Sequence, residues 1–373
     1  MRGVVSVGWQ GVSIPFLRPY TTFGIRATHR LGLLLWLRLD NGMVGVGEAS
    51  PVGTGSRIEI EELANQLEDI ANSWILGADL GGSAIWHCLD SSDSSRALHF
   101  GVETALLDLM GKAKECSVGE LLGGSPRPLP VNALIAAETP EEALIEVMEG
   151  LKSGFSSFKV KVAIADLERD EEVVSNVRQS IGPTAQLRID PNQGWSVEQA
   201  ITSIQLLAQY NLEYVEQPVR ADDLPGLSEV ARQVSVPIGA DEAASSKNDV
   251  SRLIADNRIG LVILKAGRLG GLRTAADTVR LALEGNKKVV ITSSLEAGVG
   301  VTASAHLATI LKSHPFAHGL STNSLLESNL VSSPLLPSKG MLSLPAGHGL
   351  GISIDTDALA RYSIDVRGSA GIK

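Results

Sequence analysis

The chain has 373 residues, a formal net charge of −10, and a hydrophobic content of 44%, enough to bury one large domain of roughly 250 residues beside a smaller one. No Lys/Arg-rich block accompanies the acidic balance, which excludes a nucleic-acid partner. The most apolar early run, Leu31–Leu39, is short and contains Arg38, so it fits a sheet strand and excludes a membrane span.

The N-terminal unit, residues 1–125, predicts an α+β unit of a few antiparallel strands followed by helices. Val4–Ile14 and Leu31–Leu39 have strand character, and the turn Asp40-Asn41-Gly42 before Val44–Val46 is a hairpin signal. Arg18-Pro19-Tyr20-Thr21-Thr22-Phe23-Gly24 forms a first polar-aromatic loop, and Ser50-Pro51-Val52-Gly53-Thr54-Gly55 a second. Ile58–Trp74 and Phe100–Cys116 follow with helical spacing. Cys88 and Cys116 lack metal-type spacing and predict free thiols in a reducing cytoplasm.

Gly123-Gly124-Ser125-Pro126-Arg127-Pro128 punctuates the chain. Residues 126–333 then alternate short apolar strands with amphipathic helices. The strands are Val131–Ala136, Ser157–Val162, Gln186–Ile189, Tyr214–Val215, Pro237–Ala240, Leu261–Leu264, Val289–Thr292 and, weakly patterned, Ala317–Leu320. Polar residues recur at the strand ends, at Lys161, Asp190, Glu216, Asp241, Lys265 and Ser293, in steps of 29, 26, 25, 24 and 28 residues. That rhythm predicts an α/β fold with a closed (β/α) barrel rather than an open doubly wound sheet. Residues 334–373 lose the rhythm and are expected to return to pack on the N-terminal unit.

Chemistry concentrates where the barrel strands end. Lys159 and Lys161 lie two apart on one strand, so they share a face. Asp190, Glu216 and Asp241 end the next three strands, and Lys265 ends the one after. Three carboxylates that close repel unless a cation joins them, and hard oxygen ligands suit Mg²⁺, with Mn²⁺ as a substitute. A nearby cation and a neighbouring ammonium both favour a neutral amine, so a lysine pKa is expected to fall toward the range useful for a base. The reaction such a set suits is proton abstraction α to a carboxylate. Asn192 and Glu242 are placed to orient ligands around it.

The motifs Lys159-Val160-Lys161, Asp190-Pro191-Asn192-Gln193-Gly194-Trp195, Glu216-Gln217-Pro218, Gly239-Ala240-Asp241-Glu242 and Lys265-Ala266-Gly267-Arg268-Leu269-Gly270-Gly271 resemble the enolase superfamily, muconate-lactonizing subgroup. The superfamily uses a Lys or His base with Mg²⁺ stabilising an enediolate. The resemblance implies a modified (β/α)8 barrel of the (β/α)7β kind, the N-terminal unit and its return segment as a capping domain, Asp190, Glu216 and Asp241 as metal ligands, and Lys161 and Lys265 on opposite faces of a small carboxylate substrate. Members are commonly homo-oligomers, and no stretch of this sequence marks an interface.

Within the subgroup the sequence points first to the syn dehydration of o-succinylbenzoate synthases, then to a dipeptide or N-acylamino acid epimerase or racemase, then to a muconate cycloisomerase. A carboxylate-binding barrel without catalysis is the non-enzyme alternative, which the retained lysines oppose. The eighth-strand region, Gly319-Leu320-Ser321-Thr322-Asn323-Ser324, lacks the Asp-x-Asp that dipeptide epimerases usually carry for the substrate ammonium. Ser293-Ser294-Leu295-Glu296 resembles a segment of the succinylbenzoate synthases. Ser293, Ser294, Glu296 and Ser321, with Asn192, are therefore expected to bind substrate. From the capping loops, Arg18, Tyr20, Thr22, Phe23, Ser50 and Val52 are expected to reach the mouth, with Arg18 or Arg26 pairing a second substrate carboxylate. The seven histidines show no paired spacing, which predicts structural roles, His318 included.

Overall fold

A computed structural model describes residues 3–22, 25–137, 139–164 and 166–372. The capping sheet is antiparallel, in the order Ser363–Gly371, Val4–Thr22, Ile25–Leu39, Val44–Ala49. The apolar run Leu33–Leu37, within the strand Ile25–Leu39, is explained by packing on both faces. Leu33, Leu35 and Leu37 pack with Ile60, Leu63, Leu67, Leu98 and Val102 from the helices Arg57–Ile70 and Arg96–Ala113. Leu34 faces the other way, into the core shared with the barrel. The helix Arg96–Ala113 lies directly on the strand Val44–Ala49, because a side chain at Gly47 would collide with the Gly101 carbonyl. The Asn41-Gly42 turn forms as expected, with Gly42 at φ 85° and the Asn41 Oδ1 accepting from the Met43 N–H.

The first expected loop is instead a continuation of the hairpin. Tyr20 pairs with Ala27, Thr21 with Arg26 and Thr22 with Ile25, across a register break between Pro15 and Tyr20. Pro19 has no N–H to give a ladder, so the break falls where the pairing is weakest, and the strands resume beyond it. Phe23 and Gly24 lie outside the described residues. At the other end of the chain, Met341–Leu342 pairs with Leu129–Pro130 below the barrel, Gly349 and Leu350 hydrogen-bond to Val118 and Asp108 of the capping domain, and Ser363–Gly371 joins the capping sheet, antiparallel to the first strand.

Seven parallel strands run in sequence order: Ala133–Ile135, Ser157–Lys161, Gln186–Asp190, Val215–Glu216, Ile238–Ala240, Ile259–Leu264 and Lys288–Ile291. His318 and Gly319 fill the eighth position, bridging Val131 on one side and Thr292 on the other. A 3-10 turn, Thr322–Leu325, follows where an eighth helix would otherwise start. Val160, Leu187, Ile189 and Val215 face the surrounding helices and are fully buried. The alternate residues line the interior. Low in the barrel that lining is polar: Arg188 is wholly buried and donates to Ser157 Oγ, the Tyr214 hydroxyl and the Ala317 carbonyl at 2.7–2.9 Å. Glu213 neutralises it at 2.5 Å. Ser196 caps the helix Val197–Leu207 in a capping box with Gln199.

The reading that no histidine spacing is paired is corrected: His314 and His318, four residues apart, meet with His314 Nδ1 and His318 Nε2 2.8 Å apart. His306 is buried between the capping helix and the C-terminal return. Its Nδ1 accepts from the Gly119 N–H at 3.1 Å and its Nε2 donates to the Leu350 carbonyl at 3.2 Å. Burial holds His306 down to about 4, and burial together with His314 holds His318 down to about 3. Both are neutral when folded, whereas the unfolded imidazoles take up protons near pH 6.5. The unfolded state therefore binds more protons below that pH, and stability falls as pH drops from about 7 toward 4. His306 alone should contribute about 3 kcal/mol to that loss at the end of the window. Thermal melts should show a falling midpoint across it, and His306→Gln should flatten the slope; an unchanged slope would show that His306 carries no such linkage.

Candidate active site

The site is built at the strand ends by residues whose neighbours fix them. Lys159 and Lys161 point inward from one strand, as period-two geometry requires. Lys159 Nζ bridges two carboxylates, 2.8 Å from Asp190 Oδ2 and 2.5 Å from Glu216 Oε1. Lys161 Nζ is 2.6 Å from the same Asp190 oxygen and donates to Asn192 Oδ1. Lys265 Nζ meets Asp241 Oδ2 at 2.5 Å, and Arg268 Nη1 meets Asp241 Oδ1 at 2.9 Å. The site is thus a ladder of alternating charge, with Asp190, Glu216 and Asp241 each only 1% exposed.

Backbone geometry aims the polar groups. After Asp190 the chain takes two left-handed residues, Asn192 (φ 45°) and Gln193 (φ 66°). Asn192 thereby turns back to the strand end, where its N–H donates to Asp190 Oδ1 and its side chain donates to Glu242 Oε1 at 3.3 Å. Gln217, also left-handed and fully buried, accepts from the N–H groups of Asp241 and Ala243 at 3.0 Å each. It fixes the turn that presents Asp241. Neither Gln217 nor Arg268 was singled out from the sequence, although both lie inside the recognised motifs.

Charge sets the protonation of these groups. Burial disfavours the ammonium of Lys159, but Asp190 and Glu216 outweigh it and hold its pKa well above the ordinary lysine value. The same balance raises Lys161, through Asp190 and Tyr20. These shifts come from the carboxylates alone; the expected fall in lysine pKa belongs to the site with a cation on those carboxylates. Burial would raise Asp190, yet Lys159 and Lys161 bring it far below the usual carboxylate range. Glu216 is pushed up to about 7: burial raises it most, Lys159 opposes, and Asp190 and Asp241 add to the rise.

A divalent cation suits the donor set. Three buried carboxylates from adjacent strands offer only hard oxygen, and Glu216 Oε2 is a buried acceptor with no partner. Among the described residues no group of three His, Cys, Asp or Glu is gathered as a ready cation site. Ammonium groups bridge the carboxylates here, and Lys159 stands between Asp190 and Glu216.

Above the ladder lies a pocket of about 80 Å³. It is lined by Lys159, Lys161, Asp190, Asn192, Lys265 and Arg268 on the charged side, and by Thr292, Ser293, Ser294, Ser321 and Thr322 opposite. Tyr20, Val52 and Gly53 contribute the capping-domain wall. Of the expected substrate contacts, Asn192, Ser293, Ser294, Ser321 and Tyr20 are brought together there. Asn132, Leu134 and Leu295 line it as well, and no sequence signal marked them.

Three expectations are corrected. Arg18 is turned outward and pairs with Glu149 at 3.0 Å and Glu146 at 3.8 Å on the first barrel helix. It lines a separate groove of about 470 Å³ that meets the pocket at Tyr20, Leu134 and Ser321. Ser50 donates to Glu48 Oε1 at 2.8 Å beneath the pocket wall rather than facing the mouth. Glu296 is buried and folds back to accept from the Ser294 N–H at 2.5 Å. In both cases a buried carboxylate claims the nearest donor, because leaving it unpaired would be costly. Asp223 caps the helix Leu224–Gln233 and Asp222 pairs with Arg220 at the surface, away from the chemistry.

Residues 143–358 match the family described as Enolase C-terminal domain-like, and residues 14–123 match the mandelate racemase / muconate lactonizing enzyme N-terminal domain. The chain is 39% identical over 248 residues to o-succinylbenzoate synthase of Thermobifida fusca, covering 65% of this chain and 74% of that protein. It is 27% identical over 359 residues to L-Ala-D/L-Glu epimerase of Bacillus subtilis, covering 94% and 96%. Its fold superposes on a muconate lactonizing enzyme of Pseudomonas fluorescens, complexed with muconolactone, with a TM-score of 0.90 at 25% identity, over 97% of this chain and 100% of that one. Three reactions are thus represented among proteins this chain resembles.

Proposed function

Because the chain belongs to the enolase superfamily, with both domains of the mandelate racemase / muconate-lactonizing family, we propose that it abstracts a proton α to a carboxylate and acts as an o-succinylbenzoate synthase. The observation that carries this reading is the charge of the pocket. Asp190 is the one carboxylate among its lining residues, and it stands at the ladder; the opposite wall offers hydroxyls. That wall suits the second carboxylate of a dianionic substrate. Among the described residues it offers no carboxylate to hold the ammonium of a dipeptide.

In the proposed reaction Lys161 Nζ takes the α-proton. The C–H electron pair forms the new double bond as the β C–O bond breaks, and the proton held on Lys161 leaves with the hydroxyl as water. Lys265 keeps its charge against the other face of the substrate, and Lys159 helps hold the carboxylate oxygens. Asp190, Glu216 and Asp241 would hold Mg²⁺, or Mn²⁺ in its place, which supplies Lewis-acid stabilisation of the developing charge. Asn192 and Glu242 orient the ladder from its edge.

A second reading, racemisation of an N-acylamino acid, is favoured by one observation: Lys161 and Lys265 flank the pocket from separate strands, so each face has an amine. The two readings separate in deuterium oxide. With 2-succinyl-6-hydroxy-2,4-cyclohexadiene-1-carboxylate, N-acylamino acids, dipeptides and muconate offered in turn with Mg²⁺, dehydration of the first should dominate. Its aromatic product gains no deuterium at the α-carbon, whereas a racemised product must. No dehydration of the first substrate would overturn the assignment.

A further inference from the structure

Arg30 lies on the second capping strand, 1% exposed, and none of its contacts belongs to the proposed reaction. Its guanidinium donates three hydrogen bonds, each of 2.8 Å and each to a backbone carbonyl. Nη2 donates to Pro51, Nη1 to Gly53, and Nε to Leu295. Pro51 and Gly53 belong to the second capping loop. Leu295 belongs to the loop after the seventh barrel strand. The two loops come from different domains, and together they carry Val52, Gly53, Ser294 and Leu295 into the pocket wall.

The surroundings of Arg30 are built for the same purpose. Leu295 is left-handed at φ 66°, a conformation a branched residue holds only where its neighbours over-determine it. Its carbonyl is held by Arg30, while the next residue, Glu296, anchors the Ser294 N–H. Glu48 crosses from the capping domain in the opposite sense, accepting from the N–H groups of Ala297 and Gly300 at 2.7 and 2.9 Å. It does so at the start of the helix Gly298–Ala308, where those donors have no partner within the helix. Burial lowers the pKa of Arg30, and Glu296 and Glu48 act against that. An arginine suits the position because one planar fork reaches carbonyls of two loops at once; a lysine offers a single point charge.

We infer that Arg30 is a positioning residue that locks the capping loop 51–53 to the barrel loop 294–296, so that the specificity wall of the pocket closes as one rigid piece. The inference rests on the pocket proposed above as the substrate site. It places the effect of Arg30 in substrate binding and not in proton transfer, because the lysines and carboxylates are fixed by contacts of their own.

The test compares Arg30→Lys and Arg30→Met with the unaltered full-length chain. Amide hydrogen exchange is read on residues 50–55 and 293–297 without substrate, and steady-state kinetics are read with whichever acid the wild type turns over. Exchange in both loops should rise together by about tenfold or more in Arg30→Met, with the barrel strand Gln186–Asp190 unchanged. KM should rise about tenfold with kcat within about threefold, and Arg30→Lys should recover only part of either effect. Unchanged exchange in one or both loops would overturn the inference whatever the substrate proves to be. A fall in kcat at constant KM would overturn it too, by making Arg30 part of the chemistry. Exchange that also rises through Gln186–Asp190 would mean that Arg30 merely holds the fold. If the wild type fails to dehydrate the succinyl substrate, the proposed reaction falls, while the exchange result still decides the role of Arg30.

Discussion

Lys161→Met should lower kcat by about 10²–10⁴-fold, the usual loss when a positioned acid-base group is removed, and should abolish exchange of the substrate's α-proton with solvent. Methionine keeps the length and much of the volume of the side chain. Asp190 would still face Lys159 at 2.8 Å, so no buried carboxylate is left without a cation and the fold should persist. Circular dichroism and the melting midpoint should therefore stay near wild type while turnover disappears. Lys159→Met provides the contrast. It removes the ammonium that bridges Asp190 and Glu216, which should weaken substrate binding and stability while α-proton exchange persists at a reduced rate. Turnover by Lys161→Met within tenfold of wild type would assign the proton transfer elsewhere.

How far the sequence foretold this site depends on which interactions are local. The lysine pair was legible because strand geometry allows two residues at spacing two only one arrangement, and the Phe158 and Val160 context placed that strand inside the fold. The spacing of Asp190, Glu216, Asp241 and Lys265 was legible because each strand–helix unit has nearly constant length. Arg18, Ser50 and Glu296 were misplaced for a shared reason. Each is a polar residue close to the mouth in sequence, and each was taken by a nearer partner: Arg18 by Glu146 and Glu149, far off in sequence, and Ser50 and Glu296 by Glu48 and the Ser294 N–H, two residues away, whose claim appears only once burial is known. The wall residues Asn132 and Leu134 were missed because the strand that carries them is apolar and ends in no charge. The hairpin that carries Tyr20 was taken for a loop because Pro19 hides the strand alternation on either side of it. Arg30 was hidden by its own strand, since one arginine beside nine largely apolar residues looks like an outward-facing charge until the second domain is in place.

Chelating divalent metal should abolish turnover without unfolding the chain, and the charge ladder gives the reason. In the absence of a divalent cation, Lys159 neutralises Asp190 and Glu216, and Lys265 with Arg268 neutralises Asp241. The buried carboxylates are therefore not left bare when the ion is removed, and the fold persists without it. Adding Mg²⁺ should still raise the melting midpoint by mass action, by about 2.7 kcal/mol at a concentration one hundred times the dissociation constant. Glu216 is the carboxylate to alter. Its Oε2 is buried without a partner, and burial pushes its pKa up to about 7, so it gains more than its neighbours from a cation beside it. Glu216→Gln keeps the shape and removes the charge. Metal affinity should fall by more than the 10–100-fold that accompanies loss of a supporting partner, and the Mg²⁺-dependent rise in melting midpoint should vanish at concentrations that saturate wild type. In the metal-free protein the same substitution should change stability little, because the uncharged amide still accepts from Lys159. A Mg²⁺-dependent rise that survives in Glu216→Gln would place the cation elsewhere, and the three strand-end carboxylates would then be partners of the lysines alone.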